Sequence, residues 1–188
     1  EWSVDKKSTL FLFIKRRCEK IDKYKTEYKH DSASLYARQW ALSRNRAYND
    51  FTKGGGDCMN FVSQCLYAGG LPFKNNGFEW HGLRGGSSFS WRGVDSFLKL
   101  LKNYQQFGSP RLEFSCEETP ESLKAGDLVF TVAEGVPGDI ERNPSHVVIL
   151  SRDYADKGQL VVCGHTADQL DAVKRRDDAR CTYIHIEQ

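Results

Sequence analysis

The sequence predicts a mixed α+β fold, with helices in the first half of the chain and antiparallel strands in the second. Up to Lys102, apolar residues recur at three- and four-residue steps, which is the spacing of one face of a helix. After Lys102, short apolar runs alternate with turns that contain Gly and Asp, as is typical of strands. Helices followed by a series of strands indicate an α+β architecture.

Composition and charge narrow the class of protein. The 188 residues, 39% hydrophobic and 28% charged, are enough for one domain with a core of its own. A net charge of +2 does not favour nucleic acid as a partner. No apolar run approaches the roughly 18–20 residues that cross a bilayer, so no membrane span is expected. The six cysteines lack metal-ligand spacing, so neither a metal nor a cofactor is expected, and disulfides such as Cys116 with Cys181 stay open.

Four helices are predicted from the recurrence of apolar residues. The first is basic and amphipathic and belongs to an N-terminal extension over residues 1–30, which leaves 31–188 for the domain. The third begins at Cys58 and ends at Gly69, since glycine commonly comes after the last turn of a helix. The predicted helices cover residues 8–29, 34–43 and 58–68, with a fourth that opens at Ser90.

Four strands are predicted in the second half of the chain. A turn at Gly126 and Asp127 enters the first of them, because Gly and Asp both favour turns. Two segments show neither the helical nor the strand repeat of apolar residues. We predict a long loop over residues 72–90 and a connector over residues 115–120. The predicted strands lie within residues 123–130, 145–150, 159–165 and 183–187.

The run from Gly54 to Leu66 is the strongest functional signal. Its glycines precede Asp57 and Cys58, and the apolar residues after them fall on one helical face. Cys58 is therefore expected at the first turn of a buried helix, where the positive end of the helix dipole would lower its thiol pKa below the usual value of about 8.5. A reactive thiolate and a buried structural cysteine are both open at this point.

A thiolate nucleophile needs a neighbouring base, and two of the five histidines lie at strand ends. His146 opens one predicted strand and His165 closes the next. If the turn over residues 153–158 joins these strands as a hairpin, the start of one lies beside the end of the other. The sequence therefore predicts that His146 and His165 are cross-strand neighbours, as a base and the residue that orients it.

The run Gly55–Gly70 resembles the signature of the putative amidase domain family, which belongs with the NlpC-type and CHAP cell-wall cysteine hydrolases. Three further segments match that family in the same order, and the resemblance covers about residues 31–170. Met59 departs from the pattern, because the family usually has a small hydroxyl residue there. The matching segments are 90–97, 123–130 and 145–149, with 36–40 and 48–51 upstream.

This resemblance implies a papain-like fold, in which N-terminal helices pack on a small antiparallel sheet. It implies acyl transfer to Cys58, with His146 as the base and His165 as the third catalytic residue. The Cys58 amide, helped by Asp57 or by the amide of Gly56, is expected to stabilise the oxyanion of the tetrahedral intermediate.

The resemblance also implies bacterial peptidoglycan as the substrate, cut at an amide or a stem-peptide bond. Trp80, His81 and Trp91 are then candidates to line the substrate groove, although Trp91 fits the core as well. The expected location is secreted, at the cell envelope, or in the periplasm of a target cell, with the targeting segment outside this chain. An immunity or inhibitor protein is a further expected partner.

Two alternatives stay open from the sequence. The same fold could serve a cysteine protease, deamidase or transpeptidase toxin that acts on proteins, with the basic N-terminal helix as a delivery or immunity contact. It could also serve a non-catalytic binding module, in which Cys58 would have ordinary reactivity. A metal site built from Cys58, His146 and His165 is disfavoured because it lacks a fourth ligand.

Overall fold

The computed structural model describes residues 27–72, 79–107, 113–132, 144–178 and 180–187. They form the predicted mixed α+β fold, with a two-stranded hairpin and a six-stranded sheet, both antiparallel. The helix predicted over 8–29 lies outside these residues except for its last three positions, which are not helical. The extension over 1–30 also falls almost entirely outside them, so its separation from the domain stays a prediction.

The helices of the described residues are α1 (His30–Trp40), α2 (Cys58–Ala68), α3 (Phe89–Arg92), α4 (Val94–Phe107) and α5 (Tyr154–Lys157). Helix α2 has the predicted bounds. Helix α1 begins four residues before the predicted start, because the ring of His30 hydrogen-bonds the carbonyls of Ala125 and Ile186 and fixes the first turn on the sheet. The fourth predicted helix is divided into α3 and α4 by Gly93, which has extended backbone angles.

The strands are β1 (Gly82–Leu83), β2 (Gly86–Ser87), β3 (Phe114–Glu117), β4 (Leu128–Thr131), β5 (His146–Leu150), β6 (Leu160–Gly164), β7 (Gln169–Lys174) and β8 (Cys181–Ile186). The larger sheet has the order β3-β8-β4-β5-β6-β7. The four predicted strands correspond to β4, β5, β6 and β8. Strands β3 and β7, which the sequence pattern did not identify, are the two edges of the sheet, and no residue of either is fully buried, so they carry little apolar alternation.

Helix α2 packs against one face of the sheet, and every residue from Cys58 to Leu66 is buried. Val147 and Ile149 of β5 belong to the apolar cluster on this face, whereas Val148 and Leu150 belong to a second cluster on the opposite face. Strand β5 is therefore buried on both sides. Its N-terminal end lies against the start of α2.

Two sequence expectations about the chain as a whole can be compared with the structure. No helix in the described ranges is both long and apolar enough to cross a bilayer. Cys181 has a free thiol. The disulfide between Cys116 and Cys181 that the sequence left open is therefore not formed.

Candidate active site

The glycine turn before α2 has the backbone geometry that its sequence predicts. Gly55 and Gly56 have φ angles of 105° and 121°, a region that residues with a side chain rarely adopt. A Cβ atom on Gly56 would lie 3.1 Å from Oγ1 of Thr166. The turn closes on Phe51, whose carbonyl accepts hydrogen bonds from the N–H groups of Gly54 and Gly56 at 2.8 and 3.3 Å.

Asp57 is fully buried and its carboxylate anchors the start of α2. One oxygen accepts hydrogen bonds from the Phe51 N–H at 3.0 Å and from Nδ2 of Asn60 at 2.8 Å. The other lies 2.7 Å from Nδ1 of His165 and 3.3 Å from Nε of Arg44. A carboxylate surrounded by donors in this way can only accept, so it positions the helix that carries Cys58.

The two groups that the sequence offered to help the Cys58 amide, the Asp57 side chain and the Gly56 amide, already have partners. The N–H of Gly56 donates to the Phe51 carbonyl, and the N–H of Asp57 donates to Oγ1 of Thr166 at 3.0 Å. Both oxygens of the Asp57 side chain are engaged as well, one by Phe51 and Asn60 and the other by His165 and Arg44. The expectation that Asp57 or Gly56 stabilises an oxyanion is therefore wrong, because each has a structural partner.

His165 is buried, and both of its ring nitrogens are occupied. Nδ1 lies 2.7 Å from a carboxylate oxygen of Asp57, and Nε2 lies 3.0 Å from the carbonyl oxygen of Trp40. The ring also stacks on Phe61, with 3.9 Å between centroids. His165 therefore ties α1, α2 and the end of β6 together, and it has no free nitrogen with which to orient His146.

The predicted cross-strand pairing of His146 with His165 is wrong by one residue. Strands β5 and β6 pair Ile149 with Cys163 and Leu150 with Val162. If this register continued, His165 would lie opposite Val147 rather than His146. A one-residue difference in register moves a side chain to the other face of the sheet, and this separates the two histidines.

The thiol of Cys58 lies in a nearly closed environment, and the residue is only 7% exposed. Burial raises its pKa, while hydrogen bonds from the Val147 N–H, the Met59 N–H and the Thr166 hydroxyl oppose the rise. The sequence predicted a lowered pKa from the helix terminus. Desolvation is the larger effect here, so Cys58 is a protonated thiol at neutral pH in the resting protein.

The Val147 N–H reaches Cys58 because the β5–β6 ladder stops short. Leu150 donates to Asp127, so the even-numbered N–H groups of β5 point toward β4 and the odd-numbered ones toward β6. The last recorded pair toward β6 is Ile149 with Cys163. The N–H of Val147, two residues earlier, is left for the sulfur, which brings the start of β5 against the start of α2.

His146 directly precedes Val147 and is only partly exposed. Burial, reinforced by the positive charge of Lys174, lowers its pKa to about 4. Its ring is therefore neutral at physiological pH and has no hydrogen-bond partner among the described residues. A neutral imidazole with a free nitrogen has the protonation state that a general base requires.

Thr166 also belongs to the site, although the sequence analysis did not single it out. Its φ angle is 83°, which is rare and unfavourable for a β-branched residue. Its oxygen accepts the Asp57 N–H, and its hydroxyl hydrogen-bonds the sulfur of Cys58. Backbone strain of this kind persists only where the surrounding structure imposes it, and it often marks a functional site.

The three candidate groove residues lie in different environments. Trp80 and Trp91 are 4% and 0% exposed, and their indole nitrogens donate to Ser63 and Asn60 of α2. Both therefore belong to the core, as the sequence also allowed for Trp91, and neither lines a groove. His81 is about one-third exposed, with its ring 3.6 Å from the carboxylate of Glu79.

No cluster of three or more metal-binding side chains occurs in the parts of the chain that the structure describes. The thiol and the backbone N–H groups at the start of α2 are suited to acyl transfer, and the neutral His146 begins the strand β5 that packs against this helix. Arg44 and Thr166 complete the surroundings of Asp57, and the sequence pattern identified neither as a site residue.

Comparison with known proteins gives two matches and one negative result. The model of the family described as "Putative amidase domain" matches residues 27–184. An "Uncharacterized protein YhbB" from Bacillus subtilis (strain 168) is 31% identical over 137 residues, which is 71% of this chain and 40% of that protein. The chain thus spans less than half the length of this relative. No solved structure gives a significant match.

Proposed function

Because the chain belongs to the putative amidase domain family, we propose that it is a papain-like cysteine hydrolase that cleaves an amide bond in bacterial peptidoglycan. The observation that carries this proposal is the surroundings of the Cys58 thiol. Backbone N–H groups from α2 and from Val147 act on its sulfur, and the neutral His146 directly precedes Val147 in the chain. The family match supports amide hydrolysis as the class of reaction.

In the proposed mechanism, the sulfur of Cys58 attacks the carbonyl carbon of the substrate amide while His146 takes the thiol proton. The raised thiol pKa means that this proton leaves during the attack, rather than beforehand. His146 then gives the proton to the leaving amine as the C–N bond breaks. A water molecule hydrolyses the resulting thioester, which releases the acid and restores the thiol.

The oxyanion is stabilised at the first turn of α2 in this proposal. The N–H groups of Cys58 and Met59 point toward the thiol, and the helix adds the positive end of its dipole. One donor of this kind can lower the barrier by about 2.7–4 kcal/mol. The Cys58 amide thus has the role that the sequence gave it, and the Met59 amide supports it in place of Asp57 and Gly56, which have other partners.

His165 acts through Asp57 as a positioning residue in this scheme. Its two hydrogen bonds, to Asp57 and to the Trp40 carbonyl, join the start of α2 to the end of α1. The thiol then has a fixed place relative to β5. This role differs from the expected one, in which His165 contacts His146 directly.

The substrate is tested by digesting purified peptidoglycan with the wild-type protein and with Cys58→Ala, followed by mass analysis of the fragments. The wild type should release fragments whose new termini identify the bond cut. Cys58→Ala should release none and should keep the circular dichroism spectrum and melting temperature of the wild type. Absence of fragments with the wild type would overturn the peptidoglycan assignment, and fragments from Cys58→Ala would overturn the mechanism.

A second candidate function rests on the burial of Cys58. A thiol that is 7% exposed and has a raised pKa also fits a non-catalytic binding module of the same fold. Such a module would sediment with peptidoglycan without releasing fragments, and Cys58→Ala would sediment equally well. The digestion therefore distinguishes the two candidates.

A further inference from the structure

A cavity of about 490 Å³ borders the loop between α1 and α2. Its lining includes Arg44, Arg46 and Arg84, with Asp50 as the acidic member and Tyr48 as the aromatic one. Three guanidinium groups against one carboxylate make this lining positive. The cavity therefore favours an anionic occupant.

The three arginines differ in how their charges are balanced. Arg44 donates to both oxygens of Asp168, at 3.1 and 2.8 Å, and lies 3.3 Å from Asp57. Arg46 and Arg84 are exposed and have no ion pair within the ranges that the structure describes. Two uncompensated positive charges thus remain in the wall of the cavity.

Hydrogen bonds hold the wall of the cavity in place. The Arg84 N–H donates to the Ala47 carbonyl at 2.8 Å, and the Gly85 N–H donates to Oδ1 of Asn49 at 3.2 Å. The ring of Tyr48 stacks on Trp91, with 5.8 Å between centroids. Arg46 and Arg84 therefore extend from backbone segments that are bonded to each other, which reduces the entropic cost of binding.

Two residues that line the cavity contact the start of α2. Arg44 contacts Asp57, the residue before Cys58, and the Asn49 carbonyl accepts a hydrogen bond from Asn60 in the first turn of the helix. The cavity therefore adjoins the start of the helix that carries Cys58.

We propose that this cavity is a subsite for a carboxylate of the substrate, so that the protein selects acidic peptides. The proposal rests on the proposed function for the identity of the anion, since a peptide substrate supplies carboxylates. Guanidinium groups suit this role because they can donate two parallel hydrogen bonds to one carboxylate. Arg46 and Arg84 are then specificity-determining residues, and neither takes part in the chemical steps.

The test measures binding, so that its outcome does not depend on catalysis. The probes are the tripeptide L-alanyl-γ-D-glutamyl-L-lysine, its glutamyl α-amide and inorganic phosphate, titrated calorimetrically into Cys58→Ala protein, which cannot consume them in the proposed mechanism. The Arg46→Gln/Arg84→Gln double variant is compared with Arg152→Gln, which removes an exposed arginine that pairs with Asp171 outside the lining.

The acid tripeptide should bind at least tenfold more tightly than its amide and more tightly than phosphate. The double variant should lose this preference, while Arg152→Gln should keep it. Equal affinity for the acid and the amide, unchanged binding by the double variant, or tighter binding of phosphate would overturn the proposal. If peptidoglycan is not cut but the preference depends on Arg46 and Arg84, the subsite stands without the proposed reaction; if peptidoglycan is cut and the preference is absent, the subsite alone fails.

Discussion

Two Gly-Asp turns in this molecule have nearly the same construction and different surroundings. Asp57 and Asp127 are both fully buried, and each comes directly after a glycine with positive φ. Each carboxylate accepts backbone N–H bonds and a histidine Nδ1 at 2.7 Å, from His165 in one case and from His185 in the other.

The two turns differ in the element that each one enters. Asp127 leads into Leu128 of β4, and its histidine stacks near His30, with 5.9 Å between ring centroids. Asp57 leads into Cys58 and also contacts Arg44. A buried Asp-His pair is therefore a structural anchor in this fold, and the proposed chemistry arises from the thiol and amides attached to one of the two anchors.

We expect the largest effects on stability and on kcat/KM when the carboxylates of Asp57 and Asp127 are removed one at a time. Asp57→Ala and Asp127→Ala should each lower the free energy of unfolding by about 1–3 kcal/mol, since each leaves backbone N–H groups and a histidine without their hydrogen-bond acceptor. At a temperature where both variants are folded, only Asp57→Ala should lower kcat/KM, by about a hundredfold or more, because misplacing the thiol by about 1 Å has that effect.

Denaturant unfolding and peptidoglycan turnover, measured on the same preparations, check this prediction. Asp127→Ala provides the matched control for general damage to the fold. An equal loss of kcat/KM in the two folded variants would show that Asp57 has no special relation to the site.

We expect a smaller loss of kcat/KM from a change at Thr166. This threonine bonds the N–H of Asp57, and no threonine has that role at Asp127. Thr166→Val removes the hydroxyl that bonds the sulfur of Cys58, and should lower kcat/KM about ten- to a hundredfold, as expected for one hydrogen bond to a charged group. The thiol pKa should rise further, which the pH dependence of iodoacetamide labelling at Cys58 measures. Thr166→Ser should restore both values; a serine variant as impaired as the valine variant would assign Thr166 to packing instead.

The next prediction concerns how kcat/KM depends on pH through His146, and it expects no change near neutral pH. Its folded pKa of about 4 lies below its ordinary value, so the neutral base persists as the solution is acidified. We expect kcat/KM to stay level between pH 7 and 5 and to fall as the pH drops through about 4. An acid limb centred near pH 6.5 would contradict a buried, neutral His146 as the base.

The same shift has a consequence for stability. The unfolded chain takes up a proton at His146 between about pH 6.5 and 4, whereas the folded protein does not, so acidification in this window favours unfolding. His146→Gln should therefore lose less stability than the wild type over that range. Melting temperatures at several pH values measure the difference, and identical profiles would contradict it.

The interior elements could be predicted from the sequence because burial leaves a clear pattern. Helix α2 and strands β4, β5, β6 and β8 are apolar where they pack, so their positions can be read from periodicity. The edge strands β3 and β7 could not be found in this way, since their residues are half-buried or exposed and none is fully buried. The start of α1 could not be placed because distant carbonyls hold His30.

Only part of the candidate site could be predicted from the sequence. The position of Cys58 at the start of α2 could be inferred from the glycines and the helical spacing. The partners of His165 could not, because they depend on how β5 and β6 pair, and the turn that contains α5 sets that register. The contact of Thr166 with Asp57 joins residues 109 positions apart, and a threonine with positive φ gives no signal in a sequence. The prediction that Trp80 lines a groove is wrong because the polar, glycine-rich segment around it has the composition of an exposed loop. Its indole is instead buried and donates to Ser63.

The central claim is that Cys58 forms a thioester with the substrate, and intact-protein mass spectrometry tests it most directly. The protein is mixed with soluble peptidoglycan fragments, quenched with acid within seconds and weighed. We predict an added mass equal to the acyl part of the fragment, located on Cys58, removed by hydroxylamine and absent from Cys58→Ala. Turnover without any such adduct on the wild type, or an adduct that persists in Cys58→Ala, would contradict the thioester mechanism.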